Sequence, residues 1–166
     1  MIRRARASEV PVLEAMLREM YGRSKYLGRV EISEKAMREA LTMLIMNELP
    51  MSPHSSMVRV SEQDGEIVGF IAGQFDRVYH IGRRIRANDV FLYVKPNQSP
   101  KHMLALIDAY VAWARSNPKV VEIVLSWTDA LPGAARIGDL YARKGFAKIG
   151  EMYELRLDEP ALEEAA

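Results

Sequence analysis

The sequence contains no cysteine, and this absence removes several kinds of chemistry at once. Disulfide bonds, thiolate nucleophiles and cysteine-ligated metals are all excluded. The three histidines, His54, His80 and His102, lie far apart without the close spacing of metal ligands, so a dedicated zinc site is not expected. A chain without cysteine fits the cytoplasm, where thiols stay reduced, and we expect the protein to reside there.

Long apolar runs and a strong charge of one sign are missing as well. No stretch of about 18 apolar residues occurs, so a membrane-spanning helix is not expected. The N-terminus MIRRARASEV is basic but has no apolar segment behind it, unlike a secretory signal. The formal net charge is only +1, so we do not expect nucleic acid as a partner on the strength of the total charge.

What remains is the composition of a globular protein. The chain has 166 residues, of which 49% are hydrophobic and 27% charged. This length and balance predict a single domain with one core over residues 1–158. The last residues, 159–166, are acidic and are expected to form a frayed tail.

The spacing of apolar residues alternates between helical and strand periods along the chain. It predicts strands at 2–7, 57–61, 67–75, 89–94, 120–127 and 147–157, and helices at 9–21, 33–49, 99–116 and around 137–141. Ser8, Ser33 and Ser99 are the predicted N-caps, and Gly145 the left-handed residue that ends the last helix.

The order of these elements predicts a mixed α/β sheet with helices on both faces. The Asp64-Gly65 pair predicts a tight turn between two antiparallel strands. The strand–helix–strand segment 89–127 predicts a right-handed crossover between two parallel strands. Because 120–127 is almost continuously apolar, we expect that strand to be buried on both faces.

Three motifs carry a resemblance to a known family. LYARKGF at 140–146, DGEIVGFIAG at 64–73 and FLYVKP at 91–96 resemble, respectively, the closing helix, the central hairpin and the strand before the cofactor loop of the GNAT N-acetyltransferases. Together with the element order, the likeness covers nearly the whole chain. It implies the GNAT fold with a central parallel strand pair, acetyl-CoA as cosubstrate and a small-molecule or peptide amine as acceptor.

The resemblance also implies roles for individual residues. Tyr141, in the closing helix, corresponds to the general acid that protonates the departing thiolate, and a phenol with a pKa near about 10 can donate at neutral pH. Asp89 is the implied general base, with Glu122 on the next strand as an alternative. For Tyr141, packing on the apolar face of its helix is an equally good explanation.

The cofactor loop departs from the family pattern. In the family, an arginine or glutamine is followed by two glycine-type positions, where backbone amides bind the cofactor's diphosphate at a helix start. Here PNQSPKHML places His102 and Leu104 at those positions, and Pro100 lacks an amide hydrogen. The residues expected to bind the cofactor are Tyr93, Val94, Gln98, Ser99, Lys101 and His102.

Three functions therefore stay open. The first is an acetyl-CoA-dependent N-acetyltransferase, and the second is a GNAT-fold module that binds or regulates without catalysis. The third uses the arginine-rich segment 76–88 to bind nucleic acid or an acidic partner, although a solvated loop explains those charges more simply. The sequence leaves the oligomeric state open, with a homodimer as one alternative.

Overall fold

The computed structural model describes residues 1–49, 51–128, 130–131 and 135–155. Five strands in these residues form one sheet in the order β1-β2-β3-β4-β5. The strands are β1 (Ile2–Arg4), β2 (Ser56–Gln63), β3 (Glu66–Arg77), β4 (Ile85–Val94) and β5 (Val120–Val124). The helices are α1 (Val10–Gly22), α2 (Glu34–Met46), α3 (Pro100–Arg115) and α4 (Ala135–Arg143).

The sheet is mixed, as the element order predicts. β1 to β4 pair antiparallel, whereas β4 and β5 are parallel and joined through α3. The β2–β3 turn uses Asp64 and Gly65 at positive φ (51° and 82°), the conformation that this pair adopts at little cost. The predicted hairpin and parallel crossover are both confirmed.

Helices cover the two faces of the sheet separately. α1 and α2 bury Leu13, Leu41 and their neighbours against β2 and β3 in one cluster. α3 buries Leu106, Tyr110 and Ala114 against the opposite face in a second cluster. No helix among the described residues is both long and apolar enough to cross a membrane.

The two parallel strands do not begin and end at the residues that the sequence predicts. β4 begins at Ile85, not at 89, because Ile85 to Asn88 pair with β3 on one side and with β5 on the other. β5 ends at Val124, not at 127. It is also not buried on both faces: among the described strands it pairs only with β4, and the Val121 side chain is 49% exposed.

The structure confirms three of the four residues predicted to begin or end a helix. Ser33 and Ser99 accept hydrogen bonds from Ala36 N and Lys101 N at the starts of α2 and α3. Gly145 has a φ of 88° after α4, and Phe146 N donates to Tyr141 O at 3.0 Å, which closes the last turn.

Ser8, the fourth signal, is not an N-cap. It lies inside a short 3-10 turn, Ala7–Glu9, that precedes α1. The Glu9 carboxylate accepts from Arg6 N at 2.8 Å and pairs with Arg3 of β1 at 2.7 Å. An ion pair with the first strand therefore takes the place of the predicted serine cap.

The predicted final strand does not form within the described residues. Residues 147–155 have no regular structure, and Ile149, Met152, Tyr153 and Leu155 are each more than four-fifths exposed. Residues 156 and 157 of that prediction lie outside the described residues. Alternating apolar residues favour a strand only when a neighbouring strand pairs with them, and none of the described strands pairs with residues 147–155.

A close contact between β3 and α3 supports the strand pair. A Cβ atom on Gly73 would lie 2.5 Å from Cε2 of Tyr110, whose ring is fully buried. The Tyr110 hydroxyl in turn donates to Val124 O at 2.9 Å, at the end of β5. Gly73 is therefore needed for α3 to approach the sheet closely enough for Tyr110 to contact β5.

We expect Gly73→Ala to destabilise the protein by about 1–3 kcal/mol, the usual effect of overpacking a core. Urea denaturation followed by circular dichroism measures this free energy of unfolding. Gly22→Ala is the matched control, because a methyl group added there would meet no atom within 4 Å beyond its own helix backbone and chain neighbours. Equal midpoints for the two variants would contradict the proposed packing role of Gly73.

Candidate functional site

The site lies where the two parallel strands separate. Pairing between β4 and β5 ends at Asn88 and Val124. β4 continues to Val94, paired with β3 on one edge only, while the chain after Val124 leaves the sheet. The resulting gap exposes unpaired backbone edges, to which an extended ligand can bind as an additional strand.

A bulge places Asp89 at the start of this gap. Gly73 pairs with Asp89 and Ala72 with Phe91, so Val90 is an extra residue on β4. A bulge changes the direction in which neighbouring side chains point, and bulges are frequent beside active sites. The sequence gives no sign of this bulge, because Val90 is followed by further β-formers without a break.

Asp89 and Ser126 join the two strands across the gap. Asp89 Oδ1 accepts hydrogen bonds from Ser126 N at 2.9 Å and from Ser126 Oγ at 3.0 Å. Burial raises the pKa of the Asp89 carboxyl above its ordinary value, and the two bonds from Ser126 oppose this rise. Ser126 itself is exposed, so a ligand in the gap can reach its hydroxyl.

Two tyrosine hydroxyls border the same place. Tyr141, from α4, donates to Ser126 O at 3.3 Å, and Tyr110, from α3, donates to Val124 O at 2.9 Å. Burial raises the pKa of both phenols above the ordinary value, and the nearby Asp89 carboxylate raises them further. Both hydroxyls therefore remain protonated at neutral pH and can act as donors.

The structure thus brings the two predicted catalytic residues together and places Ser126 and Tyr110 beside them. Ser126 falls within the predicted strand 120–127 and Tyr110 within the predicted helix 99–116, and neither pattern marks a residue of the site. Glu122, the alternative base, lies on β5 in register with Arg86, before the strands separate. Among these carboxylates, only Asp89 reaches Ser126 in the described structure.

The predicted cofactor residues divide into two groups. Tyr93 and Val94 lie on β4 beyond the divergence, but their side chains pack into the two cores on opposite faces of the sheet. Only their backbone can face a ligand in the gap. Burial raises the pKa of the Tyr93 phenol, whose hydroxyl has no hydrogen-bond partner among the described residues, although Glu19 and Arg23 lie near enough to influence it.

The second group surrounds the start of α3. Gln98 is half-buried, and Ser99 and the Lys101 side chain are exposed. His102 turns towards the β2–β3 hairpin, where Nδ1 and Nε2 bond with Ser61 Oγ and Gln63 Oε1, each at 2.8 Å. The His102 side chain is therefore not directed into the strand gap.

The arginine-rich segment 76–88 includes the end of β3, the connection to β4 and the first residues of β4, and its connecting part lies at the other end of the sheet. Arg77 donates to Gly82 O and Arg84 to Pro118 O, both within the same end of the molecule. Tyr79 is 84% exposed at a positive φ of 51°. None of these side chains borders the gap.

A separate cavity of about 320 Å³ lies between α3, β5 and the end of α4. Lys144 of the α4 end pairs with Asp108 of α3 at this cavity. Asp89, Ser126 and Tyr141 are not among its lining residues, so it is distinct from the strand gap.

The fold and this gap by themselves indicate a class of protein. They describe an α/β protein whose central parallel strands separate around a carboxylate and a tyrosine hydroxyl. No protein-family model matches the sequence, and no curated protein is significantly similar to it in sequence.

Solved structures do match, over almost the whole chain. A ribosomal-protein-alanine N-acetyltransferase from Brucella melitensis biovar Abortus has a TM-score of 0.62 at 16% identity, covering 95% of this chain and 99% of its own. An aminoglycoside acetyltransferase from an uncultured soil metagenomic sample has a TM-score of 0.64 at 16% identity, covering 95% and 98%.

A predicted acetyltransferase from Clostridium acetobutylicum, solved with acetyl-CoA, has a TM-score of 0.66 at 16% identity, covering 94% and 95%. The chain has the fold of the GNAT acetyltransferases, as its sequence motifs indicate. At these identities the likeness concerns the fold, and the chemistry has to be argued from the residues of the gap.

Proposed function

We propose that the protein is an N-acetyltransferase that transfers an acetyl group from acetyl-CoA to a primary amine. The observation that carries the proposal is the convergence of Asp89, from β4, and Tyr141, from α4, on Ser126 just after β5, where the two parallel strands separate. A carboxylate and a phenol with separated pKa values are what a transfer needs that takes one proton and gives another.

The residues of the gap fit the thioester arm of acetyl-CoA. The open edge of β4 from Asp89 to Val94 can hold this arm as an extra strand, and its end would then lie beside Tyr141. When bound, acetyl-CoA supplies an activated acetyl group whose carbon–sulfur bond breaks as the carbon–nitrogen bond forms.

Each side chain then has one task. The Asp89 carboxylate takes a proton from the acceptor amine, directly or through the Ser126 hydroxyl that is bonded to it. Tyr141 gives its phenolic proton to the sulfur that departs. After each transfer Asp89 releases its proton to solvent and Tyr141 regains one from solvent, which restores both side chains.

The test combines binding with thiol release. We expect acetyl-CoA to raise the melting temperature and an acceptor amine to release free CoA thiol. Because the chain has no cysteine, a thiol reagent reports released CoA without any signal from the protein. Since the fold is shared with a ribosomal-protein-alanine and an aminoglycoside acetyltransferase, the amine panel should begin with alanine-terminated peptides and aminoglycosides.

A second candidate is a GNAT-fold binding module without catalysis. It is favoured by one observation, the occupied hydrogen-bond donors at the start of α3 described below. This candidate predicts neither thermal stabilisation by acetyl-CoA nor thiol release with any amine of the panel. That outcome, in a protein whose circular dichroism shows it to be folded, would replace the enzyme proposal.

A further inference from the structure

The start of α3 has few free donors for a phosphate. Pro100, its first residue, has no amide hydrogen. Lys101 N donates to Ser99 Oγ at 3.4 Å, and His102 N donates to Ser99 O at 3.0 Å. For the first three residues of α3, the amides that attract an anion to a helix start are therefore absent or bonded to Ser99.

The His102 side chain does not replace them. Its two ring nitrogens are both bonded to the hairpin, and the Ser61 partner is almost fully buried. Turning the ring towards a phosphate would break both bonds and leave the Ser61 hydroxyl without its partner. The first turn of α3 then offers one cation, the exposed Lys101 ammonium on a flexible side chain.

The strand gap shows the opposite situation. Beyond Asn88 one edge of β4 is unpaired by β5, and the Asp89, Ser126 and Tyr141 side chains are organised by hydrogen bonds. A pantetheine arm is extended and carries two amide groups, so it can form backbone-type bonds with such an edge. The strand gap therefore offers hydrogen-bonding partners to the arm and the thioester. The first turn of α3 offers the nucleotide end only the Lys101 ammonium.

Building on the proposed acetyl transfer, we propose that the protein recognises its thioester donor through the pantetheine arm and not through the nucleotide diphosphate. The donor class is then acyl-pantetheine thioesters in general, with or without a nucleotide attached. A diphosphate held by two charge-assisted hydrogen bonds would favour CoA over pantetheine about 100-fold or more. With Lys101 alone, we expect the two affinities to lie within about tenfold.

Binding tests this without turnover. Isothermal titration calorimetry and thermal shift are measured with CoA, pantetheine and 3′-phosphoadenosine 5′-diphosphate, an arm-free nucleotide that keeps the diphosphate and the 3′-phosphate of CoA. We expect CoA and pantetheine to bind with similar affinity and the arm-free nucleotide to give no stabilisation. Lys101→Ala should weaken CoA about tenfold or less and leave pantetheine unchanged. Lys35→Ala, a distant exposed lysine on α2, is the charge-matched control and should change neither.

Activity gives a second readout, in which acetyl-pantetheine and acetyl-CoA should support thiol release with similar kcat and with KM values within about tenfold. Tight binding of CoA together with stabilisation by the arm-free nucleotide would overturn this inference alone and leave acetyl transfer standing. Failure of both CoA and pantetheine to bind would overturn the proposed function as well. The two failures are therefore distinguishable in the same titration.

Discussion

Asp89→Asn should lower kcat for acetyl transfer by about 10²–10⁴-fold, the range lost when a general base is removed. The asparagine keeps an oxygen that can accept from Ser126 N and Ser126 Oγ, so the join between β4 and β5 should survive. What is lost is the ability to hold a proton taken from the amine. Steady-state kinetics with saturating donor measure the loss, and calorimetric binding should show an unchanged donor affinity.

Glu122→Gln is the matched control for this substitution. Glu122 is the other carboxylate considered for the role, it is exposed, and it lies opposite Arg86 before the strands separate. We expect its kcat to equal that of the unmodified protein within experimental error. If Glu122→Gln is the variant that loses activity while Asp89→Asn retains it, the assignment of the base is wrong.

The pH dependence follows from the direction of the Asp89 pKa. Burial raises this pKa, so the rate should rise with pH as Asp89 loses its proton, at a pH above the ordinary range for an aspartate. Stability should change in the opposite direction. Between the ordinary pKa and the raised one, the unfolded chain binds fewer protons than the folded protein, so the free energy of unfolding falls as pH increases. Asp89→Asn should abolish both dependences.

Much of the fold could be predicted because it rests on short-range signals. Asp64 with Gly65, Ser33, Ser99 and Gly145 each act within a few residues, and each does so in the structure. The signals that failed depend on distant partners. Residues 85–88 look polar enough for a loop, yet they form a strand because β3 and β5 pair with them on both sides.

The residues of the candidate site could likewise be predicted only in part. Asp89 and Tyr141 could be proposed from a resemblance in motifs, whereas Ser126 and Tyr110 could not, because their roles arise only in the folded chain. Ser126 meets Asp89 from 37 residues away, through a bulge that no pattern marks. The sequence shows that the loop after Pro96 lacks glycine, but it does not show the hydrogen bonds that hold His102 to the hairpin.

Tyr141→Phe should lower kcat by about 100-fold or more if the Tyr141 hydroxyl protonates the departing sulfur. The ring would still pack against Phe146, and the variant gives up only a 3.3 Å bond to Ser126 O, so the melting temperature should change little. Tyr141→Ala should instead destabilise the protein by about 3 kcal/mol through the cavity it leaves. Kinetics and melting curves of both variants are measured together.

Tyr110→Phe is the control, because it removes a tyrosine hydroxyl that is bonded in a similar way but has no proposed catalytic role. Its hydroxyl also donates to a backbone carbonyl at the end of β5, and its pKa is also raised, mainly by burial. The Tyr110 side chain is fully buried, however, whereas Tyr141 is 6% exposed. We therefore expect Tyr110→Phe to reduce stability by about 1 kcal/mol and leave kcat nearly unchanged. Tyr141→Phe removes only the hydroxyl and keeps the ring. If its kcat equals that of the unmodified protein, Tyr141 contributes packing and no proton to the reaction.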